Sequence, residues 1–331
     1  MTPTVPAEWS PHRAMWLGFP SHEDLWLDDL QRAQDEVAAL ARALAGPGAE
    51  RVRLMVCGDA AEAAARARLD DVGGVEIVRA LFGDIWMRDT GPIFRGDGRA
   101  IGFRFNGWGG KYEMEGDDQV AAQIAAAAGA PLDAHDFVME GGSLDHDGLG
   151  ALLTTRQCLL NPNRNPGWTE AAAEAALAEA LGVRKVLWLG DGLRNDHTDG
   201  HVDNLARFVA PGVVACPIAW GKADPNANLY DETARQLAAM TDARGGQLQV
   251  MRIPSPGWID GEGGPSPASH MNFIIANGAV IVPLYDDARA GAFAVDAVQS
   301  LFPERKAIGL PSSAILTGGG SFHCITQQEP A

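Results

Sequence analysis

The sequence predicts an α/β fold assembled from repeated units, and three observations support this prediction. Ala- and Leu-rich stretches of helical length alternate with short apolar runs of strand type. Four times, a polar loop containing glycine is followed by two strand-like runs that are joined by a turn signal. The turns are centred at Asp97, Asp147, Gly212 and Gly278, which lie 50, 65 and 66 residues apart. Such an irregular period indicates a divergent repeat.

Six stretches have helical periodicity. The first, Leu27–Ala45, brings Leu30 and Leu44 near one face and stops at the Gly-Pro-Gly that begins with Gly46. Thr169 precedes an apolar run with acidic residues in its first turns, which is typical of a helix N-terminus. The remaining predicted helices are Asp59–Asp71, Asp117–Ala128, Thr169–Leu181, Tyr230–Ala243 and Asp287–Leu301.

The predicted strands are of two kinds. Single apolar runs lie at Arg51–Cys57, Val75–Ala80, Arg184–Leu189 and Leu248–Ile253. Paired runs follow the loops DIWMRDTG, MEGG, TDGHVDN and GEGGPSPASH, and a fifth loop, LTGGGSFHC, precedes a single run. The N-terminal run AMWLGF could supply the missing partner of that single run and close a ring. Arranged about an axis, the five loops would meet at one end of a single domain that spans residues 1–331.

Composition excludes several classes of protein. The chain has 331 residues, 26 Lys and Arg against 43 Asp and Glu, and a net charge of −17. A nucleic-acid binder needs a basic face, which is absent here, whereas acidity suits solubility and cationic ligands. The N-terminus lacks a signal-peptide pattern, and no apolar stretch is long enough to span a membrane. With four scattered cysteines, we expect a reduced, cytoplasmic protein.

Cys324 is the candidate nucleophile because it alone among the cysteines follows a glycine run and a polar loop, GGGSFHC. A thiol needs help to ionise at neutral pH. Glycines 318 to 320 let the backbone approach a ligand closely or form a turn. The other cysteines, Cys57, Cys158 and Cys216, lie in strand-like runs and are predicted to be packing residues.

His201 and Asp203 lie two apart in GHVDN, a spacing that directs both side chains to one face if the segment is extended. The imidazole can exchange protons near neutral pH. A zinc site at His197 and His201, with Asp199 and Asp203 close by, is a rival interpretation. Gly200 disfavours the helix that this pairing would need, so we expect no metal.

Asp89 in WMRDTGP and Glu140 in MEGG occupy two further loops, as do Trp86 and Trp108. Each residue alone would be a turn, cap or packing residue. Together the loops carry one thiol, one imidazole, three carboxylates and two indoles. Carboxylates and indole faces suit a planar cation such as guanidinium, which donates paired N–H bonds.

Seven segments that run in order from about Pro6 to Pro330 resemble the agmatine deiminases, a bacterial branch of the peptidylarginine-deiminase-like, guanidino-group-modifying enzymes. They are AEWSPHRAMWLGFP, DIWMRDTGP, FNGWGG, EGGSLDHDGLGALLTT, LLNPNRNP, TDGHVDN and GGGSFHCITQQEP. The resemblance implies a five-bladed pseudosymmetric α/β propeller, the pentein fold, of ββαβ-type units with the site at its axis. It also implies no metal and no organic cofactor.

The resemblance further implies a role for each matched residue. Cys324 would be the nucleophile and His201 the general acid/base. Asp89 and Asp203 would bind the guanidinium nitrogens, and Glu140 would pair with the substrate or with His201. Further substrate-binding residues are expected among Trp86, Trp108, Arg88, Asp199 and Gly320. The chain departs from the family at His197, where many members carry an acidic residue.

The expected reaction is hydrolysis of agmatine to N-carbamoylputrescine and ammonia through a covalent thiouronium on Cys324. Several alternatives remain open at this stage: a deiminase of arginine or another guanidine, an amidinotransferase on the same fold, and a non-catalytic guanidinium-binding protein. The three carboxylates around the thiol argue against a cysteine protease. The expected partner is a small cationic guanidino compound, with neither nucleic acid nor membrane. A homo-oligomer remains open.

Overall fold

The computed structural model of the chain describes residues 4–261 and 263–331, which form a mixed α/β fold. Four of its sheets share one pattern: an antiparallel pair of strands, then a helix, then a third strand parallel to the second. The strands of these sheets are Ile93–Phe94, Ala100–Arg104 and Leu132–Val138; Asp145–His146, Ala151–Thr155 and Lys185–Leu189; Arg207–Ala210, Val213–Ile218 and Gln249–Pro254; and Ile274–Ile275, Ala279–Leu284 and Lys306–Pro311.

A further sheet joins the two ends of the described chain. His12–Gly18 pairs antiparallel with Thr326–Pro330 on one side and parallel with Val52–Val56 on the other, and Val75–Arg79 completes the sheet. In this register Trp16 lies opposite Gln327. The predicted partnership of AMWLGF with the last run is therefore confirmed. A short hairpin pairs Asp260–Gly261 with Gly264–Pro265.

The long helices lie close to where the periodicity predicts them: Leu30–Ala45, Asp59–Leu69, Val120–Ala128, Glu170–Leu181, Ala227–Ala239 and Ala288–Leu301. The Thr169 side chain caps its helix by accepting a hydrogen bond from the Ala172 N–H. The helix predicted at Tyr230–Ala243 begins and ends earlier, because Met240 is extended and its carbonyl accepts a bond from the Leu248 N–H.

Short helical segments of three or four residues fill several of the loops. They are Glu23–Trp26, Leu27–Asp29, Met87–Thr90, Gly107–Gly110, Asp117–Gln119, Gly141–Ser143, Arg156–Leu159, Val202–Asn204 and Ser313–Leu316. Two predictions are wrong here. Cys158 lies in a helical turn after its strand, and Asp203 lies in a 3-10 turn instead of an extended segment.

The buried apolar side chains form several clusters between the sheets and the helices. The largest cluster packs Leu30–Ala45 against His12–Gly18 and Val52–Val56, and it also contains Trp86, Trp108 and Cys324. Among the described residues, no helix is both long and apolar enough to cross a membrane.

The sheet pattern also places the reactive loops. Asp89, Glu140, His201 and Cys324 each lie in the loop just before the first strand of the Ile93, Asp145, Arg207 and Thr326 sheets, respectively. The loop before Ile274–Ile275 occupies the equivalent position in the remaining sheet. The five sheets thus present corresponding loops.

Candidate active site

One cavity of about 240 Å³ is lined by two of the reactive side chains. Asp89 and Cys324 lie in its wall, together with the glycines 318 to 320. The indoles of Trp26, Trp86 and Trp108 form much of the apolar surface. Such a mixture of apolar walls and a few convergent polar groups is typical of a small-molecule site.

Cys324 is almost fully buried, and its Sγ atom contacts two polar side chains. The Asn272 amide Nδ2 lies 3.1 Å from Sγ, and Asp203 Oδ2 lies 3.7 Å from it. Burial, together with the negative charges of Asp203 and Asp89, raises the pKa of the Cys324 thiol well above its usual range. In the absence of a ligand the sulfur is therefore mainly a thiol.

Asp89 is held by two N–H donors from different loops. The Trp108 indole Nε1 donates to Oδ2 at 2.9 Å, and the Gly142 backbone N–H donates to Oδ1 at 3.0 Å. Burial raises the pKa of Asp89 to about 6, against the opposing effect of His201. Its carboxylate is thus oriented, and it ionises near neutral pH.

Asp203 is completely buried and belongs to a chain of titratable groups behind Cys324. His323 Nδ1 lies 2.8 Å from Asp203 Oδ2, and His323 Nε2 lies 3.2 Å from Glu8 Oε2. Burial opposes ionisation of Asp203, but the hydrogen bond and charge of His323 keep its pKa below the usual value. Within residues 4–261 and 263–331, Asp203 Oδ1 has no hydrogen-bond partner, so one carboxylate oxygen is available to a ligand.

His201 is fully buried between two carboxylates. Its Nδ1 lies 3.7 Å from Asp89 Oδ1, and its Nε2 lies 3.9 Å from Glu140 Oε2. Burial favours the neutral ring, but the charge of Asp89, together with interactions with the Cys158 and Glu140 side chains, prevails and raises the pKa of His201 well above its usual value. His201 is therefore a proton donor at neutral pH, and neither ring nitrogen has a hydrogen-bond partner among the described residues.

Glu140 is fixed by Arg164, whose Nε donates to Glu140 Oε1 at 2.7 Å. Arg164 also donates to Asp199 and to the Thr198 carbonyl, so it ties the Glu140 loop to the loop that leads into His201. Burial works against the charge of Glu140, but His201 and Arg164 lower its pKa below the usual range. The site thus contains a second ionised carboxylate beside the imidazole.

Gly142 lies at the centre of these groups. A Cβ atom at this position would lie 2.6 Å from His201 Nδ1, 2.7 Å from Asp89 Oδ1 and 3.2 Å from Asp203 Oδ2. His201 and Asp203 therefore reach one space from a turn, although their segment is not extended as the spacing predicted. The absence of a side chain at Gly142 lets the three groups surround one point.

The glycine run beside Cys324 packs against indole rings. Cβ atoms at Gly318 and Gly320 would lie 2.8 Å from Trp26 and 2.5 Å from Trp86, respectively, so both glycines are needed for this contact. Asp84 accepts a 2.6 Å hydrogen bond from Trp86 Nε1, which fixes the plane of the indole. Gly320 and Trp86 thus both lie in the cavity wall, and their role in substrate binding stays a prediction.

Two predicted substrate-binding residues lie outside this wall. Arg88 is buried behind Cys324, with Nη1 donating to Gln328 Oε1 at 2.8 Å and Nε lying near the His323 carbonyl. Asp199 pairs with Lys111 Nζ at 2.6 Å and with Arg164. Both residues therefore contact protein groups: Arg88 lies behind Cys324, and Asp199 lies beside Arg164, which fixes Glu140.

His197 lies at the cavity wall and stacks on Tyr112, with ring centroids 6.0 Å apart. Its Nδ1 is 3.0 Å from the Tyr112 hydroxyl. Across the part of the chain that the structure describes, a single group of potential metal ligands occurs, formed by Glu140, Cys158 and His201 with ligand atoms within 4.8 Å of one another. That group excludes His197, so the His197–His201 zinc pairing finds no support.

Sequence reasoning missed four residues of this site: Gly142, Arg164, Asn272 and His323. Three of them lie inside the quoted motifs EGGSLDHDGLGALLTT, LLNPNRNP and GGGSFHCITQQEP, whereas Asn272 is the second residue of the run MNFII, for which the pattern predicts only a strand. The motif matches could have indicated the first three. Only the fold places Asn272 against Cys324.

Comparison with known proteins identifies the family. The family model of Porphyromonas-type peptidyl-arginine deiminases matches residues 4–330. The chain belongs to this family. An agmatine deiminase of Ectopseudomonas mendocina is 40% identical over 359 aligned residues, which cover 99% of this chain and 95% of the relative.

Two solved structures place the chain in the same family group. The agmatine deiminase of Enterococcus faecalis is 34% identical and superposes with a TM-score of 0.92, with 99% of this chain and 96% of that chain covered. A substrate-bound agmatine deiminase of C. jejuni is 28% identical with a TM-score of 0.85, covering 100% and 97%. In this Porphyromonas-type family member, the residues around Gly142 form the candidate active site.

Proposed function

We propose that this chain is an agmatine deiminase, which hydrolyses agmatine to N-carbamoylputrescine and ammonia. One observation carries the proposal. In a chain similar to agmatine deiminases over nearly its whole length, Cys324, His201 and two buried carboxylates, Asp89 and Asp203, surround the same point. A thiol, an imidazolium and paired carboxylates are the groups that guanidine hydrolysis requires.

Substrate binding begins with the planar guanidinium group. Asp89 and Asp203 flank the space next to Gly142, and Asp203 Oδ1 is without a partner. Carboxylates accept the paired N–H donors of a guanidinium in its plane. The indoles of Trp86 and Trp108 supply apolar and cation-binding faces for the rest of the cation.

In the first half-reaction, the Cys324 thiolate attacks the guanidinium carbon and a C–S bond forms. His201 gives its proton to the departing amino nitrogen, the C–N bond breaks, and its electron pair leaves with ammonia. The remaining adduct is a thiouronium cation on Cys324. The carboxylates that hold the nitrogens localise positive charge toward the carbon and stabilise the tetrahedral state.

In the second half-reaction, neutral His201 accepts a proton from water, and the oxygen attacks the thiouronium carbon. A C–O bond forms, the C–S bond breaks, and the electron pair returns to the sulfur of Cys324. The second water proton is lost to solvent as the ureido product forms. His201 thus alternates between acid and base, which requires the position between Asp89 and Glu140 that it occupies.

The substrate itself helps to ionise the nucleophile. Asp203 and Asp89 disfavour a thiolate at Cys324 in the free protein, where the pKa of the thiol is raised. A bound guanidinium places positive charge between these carboxylates and the sulfur, which offsets their effect. A guanidinium ligand that cannot react is therefore expected to accelerate alkylation of Cys324, and an unchanged rate would contradict this step.

The same proposal covers the architecture and the setting of the enzyme. Five sheets with corresponding loops support a single-domain, five-bladed α/β propeller in which the loops converge on the axis. The four cysteines are unpaired thiols, which suits a reducing compartment, and we place the enzyme in the cytoplasm.

The test is ammonia and ureido-product release from purified protein given agmatine, arginine or an arginyl peptide. Turnover of agmatine that is lost in Cys324→Ala, but retained in Cys216→Ala, is the expected result. Cys216 is a matched control because it is an equally buried thiol in a strand remote from the cavity. Turnover of arginine alone would change the assigned substrate from agmatine to arginine. A covalent adduct without release of ammonia and ureido product would favour transfer of the amidino group to an amine acceptor. The absence of both product release and a covalent adduct with all three substrates would exclude the catalytic proposal.

A further inference from the structure

Asn272 is a fully buried side chain that touches the sulfur of Cys324 from the loop before Ile274–Ile275. It is the one side chain among the described residues that donates a hydrogen bond to this sulfur, with Nδ2 3.1 Å from Sγ. The mechanism derived above gives it no role. Among the five corresponding loops, the loop that carries Asn272 is the one to which the mechanism assigns no catalytic group.

The orientation of the Asn272 amide follows from its other contacts. Oδ1 accepts hydrogen bonds from the backbone N–H groups of His323 at 2.8 Å and of Cys324 at 3.3 Å. Nδ2 donates to Asn204 Oδ1 at 2.9 Å. The oxygen therefore faces backbone donors, and the NH2 group is the part that faces the sulfur.

An NH2 group is only a donor, so the sulfur must be the acceptor of this bond. A thiolate accepts a hydrogen bond far better than a thiol or a sulfur that carries a carbon substituent, because it holds the full negative charge. Among the titratable groups around Cys324, the anionic Asp203 and Asp89 oppose this charge, and Tyr285 is an uncharged phenol. The His201 imidazolium lies between Asp89 and Glu140, whose carboxylates it faces at 3.7 and 3.9 Å. The Asn272 amide supplies a side-chain donor that offsets the effect of Asp203 and Asp89, beside the backbone of Ser321.

We propose that Asn272 is a further catalytic residue, whose side-chain amide stabilises the Cys324 thiolate both before attack and when the sulfur leaves the thiouronium carbon. This inference rests on the proposed role of Cys324 as nucleophile. In the first half-reaction the donor increases the fraction of reactive sulfur. In the second it stabilises the electron pair that returns to sulfur when the C–S bond breaks.

Two variants separate the hydrogen bond that Asn272 donates to Cys324 Sγ from the hydrogen bonds that it accepts from the backbone. Asn272→Asp keeps an oxygen for the His323 and Cys324 N–H groups, but it replaces the donor at Sγ with an anionic oxygen. Asn272→Ala removes the donor without adding charge and keeps the test valid if the aspartate variant does not fold. The control is Asn165→Ala, because Asn165 is a buried amide that braces Val138 through both its N–H and its carbonyl.

The first readout is the pH profile of Cys324 alkylation by iodoacetamide, followed at that residue by mass spectrometry without substrate. We expect both Asn272 variants to shift the profile to higher pH by about one unit or more, since a hydrogen bond to a charged group corresponds to about 10- to 100-fold. Because alkylation needs no turnover, this readout tests the role of Asn272 even if the protein does not hydrolyse agmatine.

The second readout is the covalent adduct during agmatine turnover. Slower departure of the thiolate is expected to make the adduct accumulate in the Asn272 variants and not in Asn165→Ala. Folded Asn272 variants that alkylate with the wild-type profile and accumulate no adduct would reduce Asn272 to a brace. An equal shift in Asn165→Ala would also overturn the proposal, because loosening alone would then explain it.

Discussion

Gly142 offers the sharpest test of the site geometry. In Gly142→Ala the new methyl group would lie 2.6 Å from His201 Nδ1 and 2.7 Å from Asp89 Oδ1, whereas ordinary contact begins at 3.4 Å. The backbone of Gly142 is not in the left-handed region, so alanine meets no conformational strain there. The whole effect of the substitution must therefore come from displacing the surrounding side chains.

The expected size of the effect follows from the displacement. His201 must retreat by about 0.8 Å to restore van der Waals contact, and a shift near 1 Å in an active site costs on the order of 100-fold in rate. We expect kcat/KM for agmatine to fall by about that factor. The loss should appear in kcat as well as in KM, because both the acid/base and a substrate-binding carboxylate move.

The assay is ammonia release at fixed pH, with thermal unfolding measured on the same sample. Gly73→Ala is the matched control, because a Cβ atom there meets no neighbour within 4 Å and its backbone is also unstrained. A folded Gly142→Ala protein with wild-type kcat/KM would refute the arrangement of His201, Asp89 and Asp203 around this point. Equal losses in both variants would refute it as well.

Three further predictions concern Asp89. Because its pKa is raised to about 6, kcat/KM should fall as pH drops below about 6, where the carboxylate no longer binds a cation. The native state holds the Asp89 proton more tightly than free aspartate does, so the contribution of Asp89 to stability declines as pH rises through about 6. In Asp89→Asn this decline should be missing from the melting temperature measured against pH, and turnover should be lost because the amide carries no negative charge. Trp108→Phe removes the indole donor to Asp89 Oδ2 and should move the acidic limb of kcat/KM to higher pH, with a roughly tenfold loss at pH 6. Trp220→Phe, which removes a comparable bond to exposed Asp287, should leave that limb in place; matching shifts in both tryptophan variants would count against the assignment.

Much of the fold was predictable because local patterns determine it. The helix Glu170–Leu181 and its Thr169 cap follow from apolar periodicity and side-chain chemistry that act within a few residues. The hairpins followed from turn signals between apolar runs. Strands such as Leu132–Val138 were not predicted, because their alternating exposed and half-buried residues carry a weak apolar signal.

The site was predictable in its reactive residues and less so in their supports. Cys324, His201 and Asp89 are recognisable because their chemistry is unusual for loops. Arg88 shows the limit of the method, since its position in WMRDTGP suggested substrate contact, whereas its guanidinium faces Gln328 behind the cavity. The direction in which a side chain points depends on packing between sheets that are distant in sequence. No local sequence pattern encodes that packing.

The pairing of His12–Gly18 with Thr326–Pro330 has a consequence for the order of events on the ribosome. Asp89, Glu140, His201 and Asp203 are all synthesised before Cys324, and the strand that anchors Cys324 follows it directly. Domains begin to fold while the chain is still growing. A partly synthesised chain that lacks Cys324 therefore carries the residues that bind and protonate a guanidine, but not the nucleophile that attacks it. Catalytic competence arrives in one step, when the last strand docks beside the first.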